Sequence, residues 1–342
     1  MTIVTVAGTG RSTFSADGRP ATATDLVRPA AMAVAPNGTL YFIDGNRVRK
    51  ITGRDTVQTI AGTGDSGDGG DGGPALSAQL NSPKALAIDP DGDVFIADTG
   101  NNRVREVDPK GKIFTVAGTG DAGYSGDGER AVRARLNAPT GLAVGFSGSV
   151  FIADTLNHRV RMVTSEGVIS TVAGTGTAAY TFEGGPATAA PLDLPEALAF
   201  DSEGYLYIED VGNDRVRKVD LAGEIVTVAG TGVPGSSGDG QSASAAELSL
   251  TSQGLGSGQA LAVDSQGNLY IADAGNERIR EVDLRGTISS LAGTGRAGYS
   301  ADGSAPLQAT LNDPLSVAVD AQGVVYIADS ENNLIREIAP KR

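Results

Sequence analysis

Apolar and polar residues alternate in short runs along the whole chain, and the runs form groups of four. The clearest group spans residues 85–117 and contains ALAI, VFIAD, RVREV and IFTVA, separated by the polar turns DPDG, TGNN and DPKG. Short runs of aliphatic and aromatic residues bounded by Asp and Gly are typical of β-strands that pair across tight turns. Each group therefore predicts a four-stranded antiparallel sheet.

The groups recur at a nearly constant spacing. The tetrapeptide AGTG separates them, and its six copies begin at Ala7, Ala61, Ala117, Ala173, Ala229 and Ala292. Several copies contain the spacing G-x-G-x-x-G, as in Gly118, Gly120 and Gly123. A dinucleotide-binding turn of that kind occurs once, in a βαβ unit, so we attribute these glycines to a repeated fold. Four strands per unit at this period predict a β-propeller in which each unit is one blade.

The two ends of the chain predict how the ring closes. The last unit ends after LIREI and has no fourth strand, whereas the chain starts with a spare strand, IVTVA. Placing that N-terminal strand in the last blade completes the ring. We therefore expect an all-β, six-bladed propeller of four-stranded antiparallel blades, formed by residues 1–342 as a single domain and as a monomer.

The repeat sequences resemble a known family. GNLYIADAGNERIREVD and GDVFIADTGNNRVREVD are similar to NHL repeats, and the AGTG…SGDG…P linkers are similar to those of bacterial members. The resemblance covers essentially the whole chain and implies the propeller fold. It does not select a function, because NHL propellers include RNA-binding modules, extracellular adhesion and sensor domains, and an amidating lyase.

Composition narrows the chemistry. The formal net charge of −14 argues against nucleic acid and anionic membrane surfaces as partners, since both attract basic proteins. There are no cysteines and only one histidine, His158, so a catalytic thiol and a multi-histidine metal site are excluded. The run DSGDGGDGG alternates Asp and Gly but lacks the distal Glu of a calcium loop, and we interpret it as loop geometry. We expect no metal and no cofactor.

The sequence also bears on location. No apolar run approaches the roughly 20 residues of a membrane-spanning helix, and a strand-like segment begins at residue 2, where a signal peptide would lie. We therefore expect a cytoplasmic protein. An extracellular location stays open if a leader has been removed.

Residues repeated in every unit are interpreted as structural. An alanine near the middle of each first strand suits the crowded axis of the ring. An aspartate ends each second strand and is expected to cap the following loop or to accept hydrogen bonds from the arginines of the same blade. His158 is interpreted as structural as well, since other units carry Asn, Asp or Glu at its position.

Departures from the repeat are the better candidates for function. We expect the rim-to-axis linkers and the loops between second and third strands to share one face, which forms a mouth at the axis. The residue three positions before each inner alanine differs in every unit, the six being Ala30, Lys84, Thr140, Glu196, Gln259 and Leu315. Unit four also carries Glu209 in place of a small residue, and its incoming linker contains Tyr180, Phe182 and Glu183.

These residues predict a small-molecule site at the axial mouth. Glu196, Glu209 and Lys84 are the candidate catalytic residues, and Tyr180, Phe182, Glu183, Thr140, Gln259 and Leu315 are the candidate ligand contacts. The chemistry expected is cofactor-free acid–base catalysis of the cyclase, isomerase or lyase type, with a glutamate as acid or base and Lys84 or Tyr180 stabilising charge. The alternative is a non-catalytic scaffold whose acidic surface binds a protein partner.

Overall fold

The computed structural model describes residues 1–53, 55–181, 183–251 and 259–339. Within these ranges the chain forms six four-stranded antiparallel sheets. The first strand of each sheet contacts the first strand of the next, and the last sheet contacts the first, so the six sheets form a closed ring around an axis. The predicted six-bladed propeller is confirmed.

The 24 strands found in the described ranges are short, mostly five residues each. In chain order from β1 to β24 they are Ile3–Ala7, Ala30–Val34, Leu40–Asp44, Arg47–Ile51, Val57–Ala61, Ala85–Ile88, Val94–Asp98, Arg103–Val107, Ile113–Ala117, Pro139–Val144, Val150–Asp154, Arg159–Val163, Ile169–Ala173, Pro195–Phe200, Leu206–Asp210, Arg215–Val219, Ile225–Ala229, Leu261–Val263, Leu269–Asp273, Arg278–Val282, Ile288–Ala292, Pro314–Val319, Val325–Asp329 and Leu334–Ile338.

Blade 1 contains β2 to β5, and blades 2 to 5 follow in order with four strands each. Blade 6 contains β22, β23, β24 and the N-terminal strand β1. Strand β1 lies antiparallel to β24, with Ile3 opposite Ile338 and Thr5 opposite Arg336. The ring therefore closes as predicted, with the first strand of the chain as the outer strand of the last blade.

Single 3-10 turns are the helical elements found in the described chain. Six lie in the linkers that enter the blades, namely Ala21–Ala23, Ala75–Ser77, Ala131–Arg133, Ala187–Ala189, Ala243–Ala245 and Pro306–Gln308. Five follow second strands, namely Thr99–Asn101, Thr155–Asn157, Val211–Asn213, Ala274–Asn276 and Ser330–Asn332. No helix in the described part is long and apolar enough to cross a membrane.

The hydrophobic core lies between neighbouring blades. The linker leucine before each inner strand is fully buried, as at Leu80, Leu136 and Leu192. The first glycine of each AGTG packs tightly against the loop that follows the second strand. At Gly118, where φ is +94°, a Cβ atom would lie 2.3 Å from the carbonyl oxygen of Asn102. The AGTG repeats are therefore explained by close backbone packing, which only glycine allows there.

A channel of about 270 Å³, lined mostly by residues with aliphatic side chains, runs along the axis. Six alanines line it, one from each inner strand, and they are Ala33, Ala87, Ala143, Ala199, Ala262 and Ala318. The next residue along each inner strand also lines the channel, and it lies nearer to the face formed by the turns between strands one and two. We call this the hairpin face. The opposite face, which we call the linker face, carries the linker segments that precede the inner strands and the loops after the second strands.

Candidate functional site

A ring of buried ion pairs supports the linker face. The aspartate ending each second strand bonds an arginine on the third strand, and both side chains are fully buried or nearly so. In blade 2, Asp98 Oδ2 lies 3.2 Å from Arg105 Nη1, and Asp98 Oδ1 accepts a hydrogen bond of 2.7 Å from Asn81 N–H. Each aspartate thus connects a blade to its incoming linker. Burial raises the pKa of Asp154, Asp210 and Asp329 to about 6.

An aspartate in each of several linkers, at the position of Asp127 in the SGDG turn, completes the same arrangement from the linker side. Asp71 Oδ1 lies 2.6 Å from Arg105 Nη2, and Asp17 Oδ2 accepts a hydrogen bond of 3.0 Å from Thr59 N–H on the outer strand. In the part of the chain described, no group of three or more His, Asp or Glu side chains could hold a metal. The aspartates of these Asp/Gly loops therefore bind the buried arginines and the backbone of the outer strands.

The residue following each 3-10 turn after a second strand joins one blade to the next. His158 Nδ1 accepts a hydrogen bond of 3.2 Å from Leu194 N–H in the linker of blade 4. Asn102 Oδ1 accepts an equivalent bond of 2.9 Å from Ala138 N–H. His158 is thus one member of a repeated set of blade-to-blade contacts. These bonds also place the linkers and the loops on one face, as predicted.

The mouth of the propeller lies where the linkers reach the axis. Three of the predicted residues are buried there, Thr140 at 0%, Leu315 at 2% and Glu196 at 4% exposure. Thr140 Oγ1 donates a hydrogen bond of 3.3 Å to the carbonyl oxygen of Glu196. Blades 3 and 4 therefore meet closely at the mouth.

Gln259 spans the mouth end of the axial channel. Its amide nitrogen donates a hydrogen bond to the carbonyl oxygen of Leu86, and its Oε1 accepts one of 3.2 Å from Leu86 N–H. Leu86 lies on the inner strand of blade 2, three blades from Gln259, so the side chain crosses the axis. Gln259 also lines the channel below.

Lys84 and Arg28 are the cations of the mouth. Arg28 bonds Asp313 at 2.8 Å and Glu331 at 2.7 Å. Lys84 is half-buried and forms no ion pair with the described residues. Burial lowers the pKa of Lys84 and the charge of Arg28 lowers it further, whereas Glu196 and Asp313 oppose the shift. The mouth therefore combines one paired cation, one cation without an ion pair, and acidic groups on two sides.

Glu209 lies on the second strand of blade 4, next to the inner strand that carries Glu196. It is fully buried in β15 opposite Val216, at a position where blades 2, 3, 5 and 6 have alanine. Pro195 pairs with Asp210 across the first two strands of this blade. Glu196 and Glu209, which flank that pair, therefore lie on neighbouring strands. Their backbone positions are adjacent beside the mouth.

Tyr180 and Glu183 lie at the rim of blade 4 and not at the axis. The Tyr180 ring stacks on Arg215, with its centre 3.8 Å from Cζ, as Tyr124 stacks on Arg159 at 3.9 Å. Glu183 occupies the position of the SGDG aspartate and accepts a hydrogen bond of 2.7 Å from Thr227 N–H on the outer strand. Burial raises the pKa of Glu183, but hydrogen bonds from Thr227 and Tyr180 outweigh burial, so the pKa is lowered. Phe182 lies outside the described residues.

Sequence reasoning missed Arg28 and Asp313. Both lie two residues before the varied mouth position, where the chain has a positive φ, 48° at Arg28 and 51° at Asp313. The repeat offered a signal, because the corresponding residues of blades 2, 3 and 4 are Ser82, Ala138 and Leu194. Charge at this position is therefore a feature of blades 6 and 1.

Sequence comparison identifies the repeats. A family profile described as "Teneurin NHL domain" matches residues 62–125 and 117–181, and one described as "NHL repeat" matches residues 311–338. The first two segments contain the incoming linkers and all four strands of blades 2 and 3, and the third contains strands β22 to β24 of blade 6. They agree with the repeat units seen in the structure.

Similar curated proteins include teneurins. Teneurin-3 of Mus musculus is 32% identical over 245 residues, which are 63% of this chain and 9% of that protein. Teneurin-1 of Homo sapiens is 29% identical over 357 residues, which are 94% of this chain and 12% of that protein. The chain thus spans about a tenth of the length of the curated relatives it matches.

Solved structures with the same fold include bacterial propellers. An auxiliary nutrient binding protein from Bacteroides ovatus superposes with a TM-score of 0.71 at 15% identity, covering 100% of this chain and 77% of that one. A virginiamycin B lyase from Staphylococcus aureus has a TM-score of 0.55 at 14% identity, covering 92% and 95%. At these identities the likeness shows the fold alone.

Proposed function

Because this chain is a six-bladed propeller of NHL repeats, whose fold leaves the function open, we propose from its mouth that it binds a small organic molecule there. The proposal rests on one observation. Lys84 is a half-buried cation at the mouth that forms no ion pair with the described residues. Half-buried ammonium groups are stabilised by an opposite charge, so the ligand we propose carries a carboxylate or another anionic group.

The acidic side of the mouth gives the ligand its orientation. Glu196 is buried two blades from Lys84 and influences its pKa. A ligand held by Lys84 at its anionic end can donate a hydroxyl or amine hydrogen to Glu196 at its other end. Charge of both signs across one opening selects molecules with an anionic and a hydrogen-donating end.

The same pair can support acid–base chemistry. Glu196 would accept or deliver a proton, and Lys84 would stabilise an anion formed on the substrate. Glu209, on the neighbouring strand, would supply a second carboxyl group beside Glu196. This is the arrangement needed for a cyclase, isomerase or lyase without a cofactor. We propose binding as the primary function and such a reaction as its extension.

Native mass spectrometry tests the proposal. The purified chain is measured before and after incubation with a small-molecule extract of its source cells. We expect a discrete added mass that is lost in Lys84→Met and Glu196→Gln. Lys110→Met, which removes an exposed lysine from a turn on the hairpin face, is the matched control and should retain the adduct. The proposal fails if no mass is added, or if the adduct survives in both mouth variants.

A further inference from the structure

Clefts open between neighbouring blades on the hairpin face. They have volumes of about 450 Å³ between blades 3 and 4, 360 Å³ between blades 4 and 5, and 470 Å³ between blades 6 and 1. All three are built from equivalent elements, so each serves as a reference for the others. A difference in their lining is therefore a property of particular residues.

In two of these clefts the strands contribute charged side chains. Between blades 4 and 5, Lys218 Nζ lies 3.9 Å from the centre of the Tyr205 ring and 3.8 Å from Asp201 Oδ2. Between blades 6 and 1, Glu337 and Tyr326 line the wall. Water can solvate charged and hydroxylated walls of this kind, so these two clefts do not need a bound protein partner to cover them.

The cleft between blades 3 and 4 has mainly apolar walls, and exposed Asp220 is the charged residue of its lining. It is lined by Phe151, Met162, Phe200, Leu206 and Leu221, and we call it the blade 3–4 cleft. The position of Met162 is charged in all five other blades, the residues being Lys50, Glu106, Lys218, Glu281 and Glu337. Phe151 and Phe200 pack edge to face across the cleft, with ring centres 4.9 Å apart and an interplanar angle of 77°.

Two exposed side chains extend this apolar surface beyond the cleft. Phe146 is 78% exposed and Leu221 is 75% exposed. Both pack beside Gly204, where an added Cβ would lie 3.4 Å from Leu221 Cδ2 and 3.5 Å from Phe146 Cε2. The corresponding turn residues of blade 2 are Pro90 and Pro109. Adjacent exposed apolar residues beside an apolar cleft are typical of a protein-binding surface.

We propose that the blade 3–4 cleft, with Phe146 and Leu221, docks a segment of another protein that carries an apolar anchor flanked by basic residues. The charge around the cleft argues for basic flanks. Exposed Glu203 and Asp220 directly precede Gly204 and Leu221 in their turns, and the whole chain carries a net charge of −14. A second copy of this chain would bring like charge to the surface, whereas a basic segment is attracted to it.

This surface is separate from the mouth. The mouth lies on the linker face, and the blade 3–4 cleft opens on the hairpin face at a blade junction. The docking proposal therefore does not depend on the small-molecule function. Either can fail while the other stands.

Fluorescence anisotropy with synthetic peptides tests docking. The probe is a short fluorescein-labelled peptide with a central Leu-Trp pair between lysines, and the comparison peptides replace the lysines by glutamate or the Leu-Trp pair by serines. We expect the wild-type chain to bind the first peptide and neither comparison peptide. Binding should weaken by about tenfold or more in Met162→Lys and in Leu221→Ser.

The variants are chosen so that loss of folding does not explain the result. Lysine occupies the Met162 position in blades 1 and 4, and serine occupies the Leu221 position in blade 3 as Ser165. Leu284→Ser, which changes an equally exposed leucine at the cleft between blades 4 and 5, is the matched control and should bind within about twofold of wild type.

Four results would overturn the proposal. These are no binding of the Lys-flanked peptide, equal binding by Met162→Lys, a wild-type dimer in sedimentation analysis that Met162→Lys dissociates, and binding of the dye ANS that Met162→Lys abolishes in the absence of peptide binding. The third would assign the surface to a second copy of the chain. The fourth would assign the cleft to a small apolar molecule.

Discussion

The side chain of Gln259 crosses the propeller axis and bonds both backbone polar groups of Leu86, three blades away. The free edges of the inner strands face the axis, where they have no further strand to pair with. One amide therefore satisfies a donor and an acceptor that the fold leaves open in blade 2. This connection links two opposite blades directly.

Replacement of Gln259 should destabilise the ring. Gln259→Leu removes both bonds and leaves the buried N–H and C=O of Leu86 without this partner, at a cost of about 2 to 4 kcal/mol. Gln259→Glu keeps an acceptor for the N–H but repels the carbonyl, and it should fall between. Urea unfolding followed by circular dichroism measures both. Gln322→Leu, in an exposed turn, is the control, and a Gln259→Leu protein as stable as that control would contradict the finding.

The two aspartates that bond Arg105 should differ in their effect on stability. Asp98→Ala leaves the fully buried guanidinium without its buried partner, and we expect a loss of about 3 to 5 kcal/mol. Asp71 is 45% exposed, so Asp71→Ala should cost about 1 kcal/mol or less. The ratio of the two losses, measured by urea unfolding, checks the interpretation. Equal losses would contradict it, because they would mean that the exposed Asp71 carboxylate stabilises Arg105 as much as the buried Asp98 carboxylate does.

The buried aspartates predict a dependence of stability on pH. Burial raises the pKa of Asp154, Asp210 and Asp329 from about 3.8 to about 6. Between these values the folded chain binds more protons than the unfolded chain. The free energy of unfolding should therefore fall as pH rises from about 4 to about 6. A ¹³C-carboxyl NMR titration should show aspartate midpoints near 6, and midpoints all below 4 would contradict the prediction.

His158 should be replaceable by the residue that other blades carry. His158→Ala removes the acceptor for Leu194 N–H and should cost about 1 kcal/mol. His158→Asn restores the acceptor found at Asn102 and Asn333 and should stay within about 0.5 kcal/mol of wild type. Thermal unfolding of the three proteins distinguishes them. A loss of ligand binding in His158→Asn would argue for a role beyond structure.

Features repeated six times could be predicted from the sequence. The repeated pattern predicts the blade count, the closing strand and the Asp–Arg contacts. Because every unit contains this pattern, irregularities in one unit do not obscure it. Chance agreement among six copies is improbable. The same repetition marks Lys84 and Glu196 as residues that the fold does not require.

Features that depend on distance across the ring could not be predicted. Nothing local indicates that Gln259 reaches Leu86, because the two residues are 173 positions apart. The linker of blade 4 departs from the SGDG pattern in sequence, but Tyr180 and Glu183 repeat the three-residue offset of Tyr124 and Asp127. The Glu183 side chain is one carbon longer than that of an aspartate, and its carboxylate still accepts a hydrogen bond from the outer strand. The ligand-binding roles of Tyr180 and Glu183 stay predictions, placed at the rim.

Gly141 is the residue where the repeat pattern and the structure disagree most sharply. The equivalent residues are Ala31, Ala85, Ala197, Ala260 and Ser316, so the pattern alone predicts that alanine is tolerated. In the structure a Cβ at Gly141 would lie 1.9 Å from the carbonyl oxygen of Glu196. The inner strands of blades 3 and 4 approach too closely for any side chain at this point.

Gly141→Ala should therefore separate these two strands and disturb the mouth. We expect a loss of about 1 to 3 kcal/mol in urea unfolding, together with weaker ligand binding, because the contact of Thr140 with the Glu196 carbonyl is lost. The reverse change Ala85→Gly in blade 2 is the control and should cost about 1 kcal/mol without affecting the Glu196 side of the mouth. A Gly141→Ala protein with wild-type stability would show that blades 3 and 4 lie further apart in solution. The mouth would then be wider than the contacts of Thr140 imply.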